Sequence, residues 1–88
     1  MAFRVLDVQP TPNPNALKFV LDHPCSENTI SFLTPEQGTG HPLAEKLFAI
    51  RGVAGLLLLG DFITVNKVSS ANWSDIRPAV EATLAGDE

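Results

Sequence analysis

The stretch from Val53 to Val68 narrows the choice of fold more than any other part of this sequence. Its first half, Val53-Ala54-Gly55-Leu56-Leu57-Leu58-Leu59, is apolar enough to form either a helix or a buried strand. The residues that follow decide between them. Gly60-Asp61 separates this run from Phe62-Ile63-Thr64-Val65-Asn66-Lys67-Val68, which is rich in β-branched side chains. A glycine-led two-residue loop between two such runs predicts a tight hairpin, so residues 53–59 and 62–68 read as paired strands.

Earlier residues add three more strands. Residues 2–8 read as a strand with imperfect alternation. Gln9-Pro10-Thr11-Pro12-Asn13-Pro14-Asn15 then interrupts it with three prolines at alternate positions. Each proline removes an amide donor and biases the residue before it towards extended backbone. Asn13 and Asn15 are turn formers, so this is a stiff loop. Residues 16–21 alternate cleanly, with Leu17, Phe19 and Leu21 on one face and Ala16, Lys18 and Val20 on the other. A turn over 22–27 leads to a third strand at 28–33, then a polar loop over 34–40.

Two helices complete the pattern. Pro42 suits the first helical position, where its missing donor goes unused. Leu43, Ala44, Leu47, Phe48 and Ile50 make one apolar stripe, and Gly52 is placed for a left-handed stop. In the last segment Asn72 is the expected N-cap, and Trp73, Ile76, Val80 and Leu84 share a face. Pro78 lies too deep to be neutral, so it should tighten or kink the first turn, or delay the regular helix. The order βββ-α-ββ-α predicts an α+β fold: a two-layer sandwich of two helices on a mainly antiparallel five-stranded sheet.

Composition sets limits on function. Eighty-eight residues suit one domain spanning 1–88, since two cores would each approach the ~40-residue limit of independent stability. Ten acidic and six scattered basic residues give a net charge of -4. Without a clustered basic patch, neither nucleic acid nor an anionic membrane surface is an expected partner. A single cysteine excludes an intramolecular disulfide. The first residues, Met1 to Leu6, lack a basic region followed by a hydrophobic one, and this leads to the expectation of a cytoplasmic location.

Three stretches, in order, resemble one family. Thr11-Pro12-Asn13-Pro14-Asn15-Ala16-Leu17-Lys18-Phe19, then His41-Pro42-Leu43-Ala44-Glu45-Lys46-Leu47-Phe48-Ala49-Ile50-Arg51-Gly52-Val53, then Gly60-Asp61-Phe62-Ile63-Thr64-Val65 followed by Trp73, are similar to the N-terminal domain of Nfu/NifU-like iron–sulfur scaffold proteins. The resemblance implies a role in iron–sulfur cluster assembly or delivery. It also implies that the cluster ligands lie in a separate C-terminal domain with a Cys-x-x-Cys pair, which these residues do not contain. His41 stands where a serine often precedes Pro-Leu-Ala, so a strong helix N-cap is not expected there.

Candidate sites follow from the same residues. Clusters generally need about four ligands, mostly thiolates, and one Cys25 cannot supply them, so no cofactor of its own is expected. The alternative is weak iron or metal binding by the turn containing His23 and Cys25, which lacks a second ligand pair. Asp22 and Glu27 would raise the pKa of Cys25 if close. No activated nucleophile and no phosphate-binding loop is present, so catalysis is not expected. The remaining candidates bind partners. Pro12, Asn13, Pro14 and Asn15 read either as a rigid structural turn between two strands or as a stiff recognition edge, and Leu56 and Leu58 belong to a strand with leucines on both faces, one of which two helices on the same side would leave bare. The expected partner is a cluster-carrying protein or Cys-x-x-Cys scaffold domain, with a second copy of the chain as the alternative.

Overall fold

Five strands pair edge to edge in the order β1-β2-β5-β4-β3, every neighbour antiparallel. They are β1 (Val5–Pro10), β2 (Ala16–Leu21), β3 (Ser26–Phe32), β4 (Val53–Gly60) and β5 (Phe62–Lys67). Helix α1 (Pro42–Phe48) joins β3 to β4, and helix α2 (Trp73–Leu84) closes the chain. These elements come from a computed structural model that describes residues 3–86. The α+β two-layer arrangement expected from the sequence is the one observed.

The β4–β5 hairpin is the spine of the sheet. Leu59 pairs with Phe62 across Gly60-Asp61, and Gly60 adopts φ 56°. That positive angle at the first loop residue is what a tight hairpin of this hand requires. The turn between β2 and β3 passes over the hairpin tip and is fastened to it. Leu21 N–H donates to the Asp61 carbonyl at 2.7 Å, and Cys25 N–H to the Gly60 carbonyl at 2.7 Å. This carries β3 past two strands to the far edge.

Register decides what is buried. Phe19, Ile63 and Leu58 lie in one cross-strand row with Ile30, and Leu17, Val65 and Leu56 in the next with Phe32. All face the helices, where Ala44 and Leu47 of α1 and Ile76, Val80 and Leu84 of α2 close the core. Burying a side chain such as Phe19 or Ile63 contributes about 1.5–3 kcal/mol. Leu56 and Leu58 are only 2% and 0% exposed, which corrects their assignment to a partner-binding surface. Their parity places them under the helices, and the open face carries Leu57 and Leu59 instead.

Several boundaries differ from the sequence reading. The first strand begins at Val5, and the start of the expected segment, Ala2, lies outside the described residues. β3 begins at Ser26 because its pairing with Gly60 extends the ladder to the hairpin tip. A 3₁₀ turn (Pro35–Gly38) occupies the expected polar loop. Helix α1 ends at Phe48, leaving Ile50 outside it, while Gly52 takes the left-handed conformation at φ 100°. His41 does cap α1: its Nδ1 accepts from the Ala44 amide at 3.2 Å. Asn72 makes no side-chain cap bond, yet its carbonyl accepts from Asp75 and Ile76, so α2 runs regularly from Trp73 through Pro78. Among the described residues, no helix is long and apolar enough to cross a membrane.

Candidate functional site

The loop between β1 and β2 is stiff for reasons visible atom by atom. Pro12 and Pro14 restrict the backbone, and the polar side chains bond to the loop itself. The Thr11 hydroxyl lies 2.9 Å from the Asn13 carbonyl and 3.0 Å from the Ala16 carbonyl, and accepts from the Asn13 amide at 3.1 Å. Asn13 Oδ1 accepts from the Asn15 amide at 2.9 Å. Distant residues then lock the loop in place. Lys67 Nζ donates to Asn15 Oδ1 at 2.9 Å, and Trp73 Nε1 donates to the Pro14 carbonyl at 3.1 Å. The same ammonium lies 5.9 Å from the centre of the Trp73 ring, within reach of a cation–π attraction.

Pro12, Asn13 and Pro14 are exposed, whereas Asn15 is half-buried. The outward edge is therefore Pro12-Asn13-Pro14, and Asn15 holds it from behind. Lys67 and Trp73, which the sequence reading did not place beside this loop, complete its support. Their contribution is legible only once β5 pairs with β2 and brings Lys67 to Asn15.

The His23 and Cys25 turn is organised differently. His23 Nδ1 pairs with Asp22 Oδ1 at 2.7 Å, and its ring stacks on Phe3 with centroids 4.4 Å apart. The hydrogen bond from the Arg4 amide holds the Asp22 carboxyl below its ordinary range, and His23 adds to that effect. The half-buried Cys25 sulfur instead turns towards the Phe62 carbonyl, at 3.6 Å. Burial pushes its thiol pKa up, and the charge of Asp61, rather than Asp22 or Glu27, adds to the rise. No group of three His, Cys, Asp or Glu side chains is placed to hold a metal ion among the described residues.

The sheet face away from the helices carries Leu57, Leu59 and Phe62, with Lys18 Nζ 4.3 Å from the centre of the Phe62 ring. Lys18 shields part of the aromatic surface, and Leu59 is exposed. Fold and site define a two-layer α+β domain with one sheet face covered by helices and a rigid proline–asparagine loop at its end.

This chain belongs to the Nfu/NifU N-terminal family, described as scaffold protein Nfu/NifU N terminal, which it matches over residues 6–86. It is 39% identical over 84 residues to the human NFU1 iron-sulfur cluster scaffold homolog, mitochondrial, covering 93% of this chain and 33% of the relative. A Drosophila erecta protein of the same name is 41% identical over 83 residues, covering 90% of this chain and 29% of the relative. The chain thus spans about a third of the length of these curated relatives. The solution structure of a NifU-like protein from Saccharomyces cerevisiae superposes with a TM-score of 0.78 at 27% identity, covering 91% of this chain and 74% of that one. The two curated relatives are named mitochondrial, which overturns the cytoplasmic location expected from the first residues. A basic region followed by a hydrophobic one marks a secretory leader, whereas mitochondrial targeting segments are amphipathic and arginine-rich.

Proposed function

We propose that this domain is a non-enzymatic docking module in iron–sulfur cluster assembly or delivery, which meets a cluster-carrying protein and holds no cluster itself. The observation that carries this reading is the donor count. The 88 residues supply one cysteine, and two copies would bring two, against the roughly four ligands a cluster requires. That one thiol is half-buried and turned towards the Phe62 carbonyl. Membership of the scaffold family supports the pathway. The pinned Pro12-Asn13-Pro14 edge supports docking, because a surface ordered before contact loses less entropy on binding.

The test has two arms. Anaerobic incubation of the domain with iron and sulfide, followed by gel filtration, should leave it colourless and without stoichiometric metal. Titration of the isotope-labelled domain with a cluster-loaded Cys-x-x-Cys domain should shift the amide signals of Thr11, Asn13 and Asn15. A brown protein that keeps iron and sulfide through the column, or a titration that leaves those signals unmoved, would sink the proposal.

A further inference from the structure

Between the end of α1 and the start of α2 the surface opens into a groove of about 650 Å³. Its apolar lining comes from Ile50, Val68, Ala71, Ile76 and Ala79. Val68 is 43% exposed and Ile50 is half-buried, so aliphatic surface remains for a visitor to cover. This volume falls within the ~300–1,000 Å³ common for binding clefts.

Backbone bonds fix the shape of the groove. Val68 N–H donates to the Gly52 carbonyl at 2.9 Å, Ala71 N–H to the Val68 carbonyl at 3.1 Å, and Val53 N–H to the Ile50 carbonyl at 3.2 Å. At Gly52 a Cβ would stand 2.9 Å from the Ala71 Cβ, closer than such atoms approach. The two connecting segments therefore meet at a separation that glycine permits. A cleft built this way exists before anything enters it, which lowers the cost of filling it.

Charge indicates what enters. Arg51, on the α1–β4 connection, and Asp75, in the first turn of α2, both line the groove and are both exposed. Neither Arg51 nor Asp75 is joined in an ion pair among the described residues. No buried side-chain nitrogen or oxygen among those residues lacks a hydrogen-bond partner, so no orphaned polar group in the interior calls for a small polar ligand. Arg51 and Asp75 are the charged groups of the lining, beside the neutral polar Ser70 and Asn72, and they set orientation while the aliphatic lining supplies affinity.

We propose that this groove docks a segment of a partner protein that presents an aliphatic side chain flanked by one acidic residue, for Arg51, and one basic residue, for Asp75. The proposal rests on the reading of the domain as a docking module and supplies the chemistry of what is docked.

Three synthetic peptides test it by amide chemical shifts of the labelled domain. Acetyl-Glu-Leu-Leu-Lys-amide should shift Ile50, Gly52, Val68, Ala71 and Ala79 in a saturable way. Acetyl-Glu-Ser-Ser-Lys-amide lacks the anchor and acetyl-Lys-Leu-Leu-Lys-amide lacks the acid. Each should bind about tenfold more weakly, a difference of about 1.4 kcal/mol. Ala79→Trp, which fills the cleft, should abolish the shifts, and a folded Arg51→Glu should reverse the preference between the Glu- and Lys-led peptides. Unmoved groove signals, equal response to all three peptides, or shifts unaffected by Arg51→Glu would overturn the proposal. If the cluster-loaded domain perturbs the Thr11–Asn15 loop while these peptides leave the groove untouched, the groove assignment falls and the docking reading stands. If the peptides bind as described and the cluster-loaded domain does not, the reverse holds.

Discussion

Cys25 is the one thiol in this protein, and its surroundings set its chemistry. A nucleophilic or metal-binding cysteine needs its thiolate, which positive neighbours and solvent favour. Here burial works against the charged form, and the carboxylate of Asp61 works in the same direction. Reaction with a disulfide reagent at neutral pH should therefore be slower in the native protein than after unfolding in urea. Because the folded pKa lies above the unfolded one, the thiol's stabilising contribution is intact below the ordinary thiol range. It is lost as pH climbs through the raised value. A stability difference between the wild type and Cys25→Ala that is constant at neutral pH and shrinks in alkali is the expected outcome. A native thiol that reacts as fast as the unfolded one would refute this account. The sequence exposed His23 and Cys25 as neighbours but not what each touches, since Phe62 and Asp61 reach Cys25 only through the hairpin tip.

Among the secondary elements, α2 contains the clearest conflict between local propensity and final structure. Pro78 is the sixth of its twelve residues, beyond the first turn where proline is free of cost. The helix is regular all the same, because Ile76, Val80 and Leu84 are all buried and tie it to the sheet on both sides of the proline. Packing overrides propensity. Replacing Pro78, which is exposed, with alanine restores a backbone donor and removes no core contact. The gain should be about 2–2.5 kcal/mol, the helical penalty of proline less the entropy that the more flexible unfolded chain recovers. Urea denaturation gives the measurement, and an unchanged or lower midpoint would show that the proline is accommodated without penalty. The elements legible in the sequence were those with complete local signals: β2 and α1 from periodicity, and the β4–β5 turn from Gly60-Asp61. The 3₁₀ turn at Pro35–Gly38 and the cap at His41 were not, because neither carries a side-chain pattern that distinguishes it from an ordinary loop.

The molecule as a whole is a sheet with two unlike faces, and β4 records both of them. Period-two alternation separates Leu56 and Leu58 from Leu57 and Leu59, and that much is visible in the sequence. Which pair lies under the helices is not, because the choice depends on which side of the sheet both connections cross. In the structure Leu58 is fully buried against the helix layer, while Leu59, one residue on, is 36% exposed on the open face. A lysine at each position tests this directly. Leu58→Lys puts an ammonium into a core that holds no buried polar or charged residue among the described residues, and charges of that kind are among the few single changes that cost more than about 4 kcal/mol. For a domain of this size such a loss approaches its whole stability. Circular dichroism should then find no cooperative transition, and amide spectra should collapse. Leu59→Lys leaves its charge in water and lays its methylene stem across the former leucine surface, so its effect should stay within about 1 kcal/mol. If both variants unfold, the open face is packed in a way that this two-layer arrangement does not provide. If Leu58→Lys folds as well as Leu59→Lys, the helices are not covering the face assigned to them, and the positions of Lys67 and Trp73 behind the Pro12-Asn13-Pro14 edge would have to be redrawn with them.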